Sequence, residues 1–158
     1  MKTLNLHQKG TTLIEVLVAM IVLAIGILGI AAMQTTSVKA NQSAYYRSQA
    51  TLLAADITDR MRANRVVALA GSYDITTAPT SSTANEVDGD QAAIDKAQWL
   101  NQLATSLPEG TGSITHDNNN VFTVTIVWND GRGRIRSTEV TDSEDADNTV
   151  NFTYRARL

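Results

Sequence analysis

The chain has 158 residues, a formal net charge of −3 and no cysteine. Its length makes one domain the default. The lack of cysteine excludes disulfides, thiolate nucleophiles and Cys-ligated zinc or iron–sulfur centres, and the acidic balance argues against a general nucleic-acid binder. The charge is also partitioned: Lys2 and Lys9 precede a long apolar run, and everything after Met33 is net acidic.

Val16 to Met33 carries no charged or hydrogen-bonding side chain, and as a helix it would span roughly 27 Å, close to the thickness of a bilayer core. The run is too long for the apolar core of a cleaved secretory signal. A plain membrane anchor fits the length, with Lys2 and Lys9 holding the amino end in the cytoplasm, but it leaves Glu15 at the entry unexplained. An acidic side chain inside a membrane costs roughly 2.5–3.5 kcal/mol at the helix centre and less near an end.

The stretch Lys9-Gly10-Thr11-Thr12-Leu13-Ile14-Glu15 resembles the processing signal of type IV prepilins and pseudopilins. That resemblance implies cleavage by a membrane prepilin peptidase between Gly10 and Thr11, with N-methylation of the new terminus at Thr11. The family often has Phe at this first position, where this chain has Thr. Cutting after Gly10 would create a positive amine beside an apolar helix, and neither it nor Glu15 is stable alone in an apolar medium. Pairing Glu15 of one subunit with the amino terminus of a neighbour would select register during assembly.

The resemblance divides the chain into a leader (1–10), a transmembrane and assembly helix (11–33), an amphipathic continuation of that helix (34–65) and a periplasmic or extracellular head (66–158). Gly26 and Gly29 would allow close subunit packing. Tyr46, Ala50, Leu53, Ile57 and Met61 recur at steps of four, three, four and four, which predicts one apolar helical stripe running to about Asn64. Within it, Asp59-Arg60-Met61-Arg62-Ala63-Asn64 resembles a segment of PilV-type minor pilins. Arg47, Asp56, Asp59, Arg60 and Arg62 read as solvated or paired surface groups.

From Ala70 to about Asp90 the sequence reads as a surface connection with a short extended piece at Tyr73–Ile75. Gln91–Leu107 gathers Ile94, Trp99, Leu100, Leu103 and Leu107 on one helical face, ended by Pro108 and Gly110, with Trp99 as a core anchor. Phe122, Val124, Ile126 and Trp128 alternate as a strand, and Asn129-Asp130-Gly131 predicts a turn into a second strand at Arg134–Val140. Val150, Phe152, Tyr154, Ala156 and Leu158 alternate again. The expected fold class is α+β and type IV pilin-like, a long amino-terminal helix packed on a small antiparallel sheet of three or four strands.

Arg132, Arg134 and Arg136 would share one strand face, as would Arg155 and Arg157. The plain reading is a solvated sheet; the functional one is contact with an acidic partner subunit or with DNA phosphates, without the interleaved aromatics of single-strand binding. The acidic stretch 142–147 matches no full EF-hand spacing, and His7 and His116 are expected to be solvated. No nucleophile–base arrangement or phosphate loop is present, so the expectation is a structural protein with no enzymatic activity, cofactor or metal. The resemblance implies a minor pilin that joins other minor pilins and the major pilin, together with the inner-membrane pilus machinery, in priming assembly. It would pass from the inner membrane, head in the periplasm, to the pilus tip and support twitching motility and adhesion. The alternatives are a minor pseudopilin of a type II secretion system, a DNA-binding pilin for DNA uptake, and a simple membrane-anchored domain.

Overall fold

In the computed structural model the described residues are 12–81, 85–131 and 148–158. They form α1 (Leu13–Ala63), α2 (Arg65–Leu69), α3 (Gln91–Ser106), β1 (Thr111–His116), β2 (Val121–Asn129) and β3 (Thr149–Arg157). The fold class is α+β and type IV pilin-like, with a long apolar helix and a three-stranded antiparallel sheet of order β1-β2-β3. The chain divides into two compact units, Met1–Val38 and Lys39–Leu158.

In the first unit, every described residue from Leu13 onward is helical and every one is exposed. The helix opens where the Thr12 carbonyl accepts from the backbone N–H groups of Glu15 and Val16. No proline interrupts it. The polar stretch after Met33 stays helical, and there Thr35 and Thr36 donate their hydroxyls back to the carbonyls of Ala31 and Ala32, at 3.0 and 3.2 Å, the arrangement such side chains adopt inside a helix.

In the second unit, the part of α1 from Lys39 onward buries Tyr46, Ala50, Ala54, Ile57, Thr58 and Met61. The predicted stripe therefore holds, with two differences. Leu53 is only partly buried at its edge, and Ala54 and Thr58 complete it. Thr58 is tolerated there because its hydroxyl donates to the Ala54 carbonyl at 2.7 Å. The helix ends at Ala63, and after Asn64 the short α2 follows, an element the sequence pattern did not indicate.

Residues 70–75 are less superficial than expected. Tyr73 is fully buried, and Ile75 exchanges both backbone hydrogen bonds with Ile114, at 2.8 and 3.0 Å. The extended piece is thus a strand-like bridge on the outer edge of β1. Helix α3 starts at an N-cap, where the Asp90 carboxylate accepts from Ala93 N–H at 2.8 Å. Trp99, Leu103 and Leu107 are buried as predicted, whereas Ile94 and Leu100 are half-exposed and Ala92 and Asp95 are buried in their place.

β2 is the central strand. Phe122, Val124, Ile126 and Trp128 are fully or almost fully buried along its inward face, and Val150, Phe152, Tyr154 and Ala156 lie opposite them on β3. Asn129-Asp130-Gly131 was expected to lead into a hairpin partner at Arg134–Val140, a segment outside the described residues. The partner of β2 on that side is instead β3, Val121↔Arg157 through Asn129↔Thr149, and the other side is taken by β1, which the sequence did not reveal. Two buried polar atoms, Trp128 Nε1 and Asp130 Oδ1, have no hydrogen-bond partner among the described residues, although Asp130 Oδ2 accepts from Ser43 Oγ at 2.7 Å.

Gly112 on β1 sits under Trp99: a Cβ there would lie 2.5 Å from Trp99 Cη2 and 2.9 Å from the Thr125 carbonyl oxygen. Gly112→Ala is accordingly expected to lower stability by about 1–3 kcal/mol through overpacking. Fluorescence of Trp99 and Trp128 during urea unfolding of the detergent-solubilised chain reads this directly, and an unchanged midpoint would show that Trp99 can move aside.

Candidate functional site

Glu15 lies in the first turn of α1 and is exposed, as are all the apolar residues that follow it as far as Val38. It shares one helix face with Val16, Ala19, Met20 and Leu23. An acidic group in the first turn is favourable next to the unpaired N–H groups there. No ion pair forms at Glu15 among the described residues. The helix is long and apolar enough to cross a membrane, with a mean hydropathy of 2.9 over its most apolar window and none of that window buried. This is consistent with membrane anchoring.

Gly26 and Gly29 are three residues apart, and a Cβ at either would meet nothing within 4 Å. They leave an open notch rather than filling a contact within the chain. The expected cleavage and methylation positions, Gly10 and Thr11, lie outside the described residues, as do Arg132, Arg134, Arg136 and the acidic stretch 142–147. Arg155 and Arg157 are described, exposed, and on one face of β3 as expected, opposite Thr123 and Val121 of β2. Among the described residues, no group of three or more His, Asp or Glu side chains could hold a metal ion.

The Asp59–Asn64 segment has a structural role that its pattern concealed. Met61 enters the core, while Arg60 reaches out of the stripe to Asp56 (2.9 Å), Asp95 (3.4 Å) and Gln98 (2.8 Å). The buried Asp95 carboxylate also accepts from Tyr73 Oη at 2.6 Å and Gln91 Nε2 at 3.0 Å, and Asn64 Nδ2 donates to Tyr73 Oη at 3.3 Å. A buried carboxylate is tolerable only when it is hydrogen-bonded in this way. Arg60 is therefore not a plain surface group, whereas Arg62 and Asp59 form an exposed pair at 2.7 Å. Tyr73 and Asp95 were missed because neither belongs to an apolar period; the only available signal was an acidic residue among the apolar positions of α3.

His116 departs from the expectation of a solvated ring. Its Nδ1 lies 2.9 Å from Asp74 Oδ1, and the ring stacks on Phe122 with centroids 5.2 Å apart. At the turn that follows it, Asp117 has its carboxyl held below the usual carboxylate range, chiefly because it accepts from Val121 N–H. The same side chain accepts from Asn119 N–H, so it closes the β1–β2 turn.

Burial and then the hydrogen bond to Asp95 push the Tyr73 phenol up to about 12. The neutral phenol is thus favoured by folding, a contribution complete below the unfolded value near 10 and lost as pH rises from there toward about 12. Urea midpoints of the wild-type chain are expected to fall over that window, and Tyr73→Phe should flatten the fall at the cost of lower stability at neutral pH. Asp95→Ala should destabilise by about 3–5 kcal/mol, because it leaves buried partners unmatched; a loss under about 1 kcal/mol would show that the network is solvated.

Comparison with known proteins matches two consecutive stretches. Residues 5–31 match the family model described as prokaryotic N-terminal methylation motif, and residues 32–99 match that of the type IV pilin Tt1218. No curated protein and no solved structure matches the chain. Up to residue 99, therefore, it carries a prokaryotic N-terminal methylation motif followed by a segment similar to the type IV pilin Tt1218, on a type IV pilin-like α+β fold.

Proposed function

We propose that this chain is a minor pilin of a type IV pilus, of the PilV type, which is cut after Gly10, methylated at Thr11 and assembled with other minor pilins and the major pilin. The observation that carries the reading is the carboxylate of Glu15 in the first turn of α1, at the head of a run whose apolar residues from Leu13 to Met33 are all exposed. That surface needs either lipid or other helices to cover it. The acid needs a positive partner, which the amine released at Thr11 on a neighbouring subunit supplies. A pilin role is supported by the methylation motif and the pilin-like segment. The open notches at Gly26 and Gly29 suit close helix packing in the assembled state. Priming of assembly at the inner membrane, a place at the tip and support of twitching motility and adhesion follow from this reading, and the chain takes no enzymatic part.

Intact mass and amino-terminal sequencing of the protein from its native membrane are expected to show a chain beginning at Thr11, with or without one methyl group. Glu15→Val should be processed normally yet be missing from sheared filaments. An uncut chain beginning at Met1 would reduce the reading to a membrane anchor. Recovery in a type II secretion pseudopilus rather than in pili would favour the pseudopilin.

A further inference from the structure

The outward face of the sheet has a composition that its core-facing side does not explain. Reading straight across the strands, its rungs are Thr111–Val127–Asn151, Ser113–Thr125–Thr153 and Thr115–Thr123–Arg155, with Val121–Arg157 beyond them. All of these positions are half-exposed or exposed, while the residues between them on β2 are buried. Thr111 is already engaged, its hydroxyl donating to the Pro79 carbonyl at 2.6 Å. Ser113, Thr115, Thr123, Thr125 and Thr153 remain as a block of five hydroxyls, bordered on β3 by Asn151, Arg155 and Arg157. Strand propensity accounts for each threonine singly. It does not account for the absence of acidic side chains from these outward positions in a chain of net charge −3.

We propose that this face binds an acidic polysaccharide, a chain of sugar rings that carries carboxylates. A hydroxyl both donates and accepts, which is what a sugar hydroxyl requires of a partner. Outward side chains recur at about 4.8 Å across the strands and about 6.8 Å along them, a regular lattice facing a regular polymer. Arg155 and Arg157 supply the charge complementarity, since a guanidinium forks onto a carboxylate in two parallel hydrogen bonds. Among the described residues, acidic groups stand near the ends of the face: Asp117, whose carboxyl is drawn down in part by Arg155, and Glu109, which accepts from Asn129 at 3.2 Å. An anionic ligand would therefore lie along β3 and the middle of β2. Double-stranded DNA also carries regular charge, but the hydroxyl block offers its phosphates nothing that more lysine and arginine would not offer better. The proposal concerns the face itself and does not depend on entry into a filament.

The test is equilibrium binding by the full chain in detergent micelles to alginate as the polyuronate, dextran as a neutral polysaccharide, and duplex DNA. Alginate is expected to bind and dextran not. Arg155→Gln with Arg157→Gln should weaken alginate binding at least about tenfold, and Thr125→Val with Thr153→Val about threefold. Unfolding midpoints read by tryptophan fluorescence should be retained, since all four positions face outward. No alginate binding, equal binding of dextran, or DNA binding of similar strength that responds to the arginines and not to the threonines would each overturn the proposal. Failure here with a chain still cut before Thr11 would leave the pilin reading intact, and an uncut chain that binds alginate would do the reverse.

Discussion

A three-stranded sheet has one face to bury and cannot bury it against itself. Here the inward row Phe122, Val124, Ile126 and Trp128 on the central strand shares a single core with the α1 stripe from Tyr46 to Met61 and with Trp99, Leu103 and Leu107 of α3. Everything else in the second unit follows from closing that core. Gly112 stays small so that Trp99 can lie over β1, and the Trp99 indole N–H finds the Leu53 carbonyl at 3.1 Å rather than going unpaired. Ile75 is drawn from the connection to pair with Ile114, which shields the outer edge of β1.

α1 meets two solvents with one backbone. From Leu13 to Met33 its residues are apolar on all sides, apart from Glu15, and from Tyr46 to Met61 they are apolar on one side. A helix that is apolar all round belongs in a membrane or among other helices, and one that is apolar along a stripe belongs on a domain. The division therefore separates what must be covered by something outside the chain from what the chain covers itself. Glu15 stands at the head of the first part, where an acidic side chain costs less than at the helix centre yet still calls for a partner once apolar surroundings close over it.

The polar network around Asp95 shows how the head is registered on the helix. Apolar contact alone tolerates sliding, whereas a carboxylate held by Tyr73 and Gln91 and reached by Arg60 has one satisfied arrangement. Asp74 and His116 form a second such contact, joining residues 42 positions apart. Such pairs are specific because leaving either partner unmatched is costly.

Periodicity made α1, α3, β2 and β3 legible before any coordinates, because a step of 3.6 or 2 records which side chains face a core. The amino-terminal methylation motif was legible for a different reason: its signal is local, a short stretch of chemistry that needs no distant partner in the chain, and a family model matches it over residues 5–31. β1 was hidden because Gly112 stands where an apolar residue would have marked the alternation and Ile114 alone remains. The pairing of β2 with β3, rather than with the strand expected after Gly131, the burial of Tyr73 and Asp95, and the engagement of His116 by Asp74 depend on partners distant in the chain. A local pattern reports the environment a side chain needs; which distant residue supplies it is settled only when the whole core closes and every buried polar group must find a match.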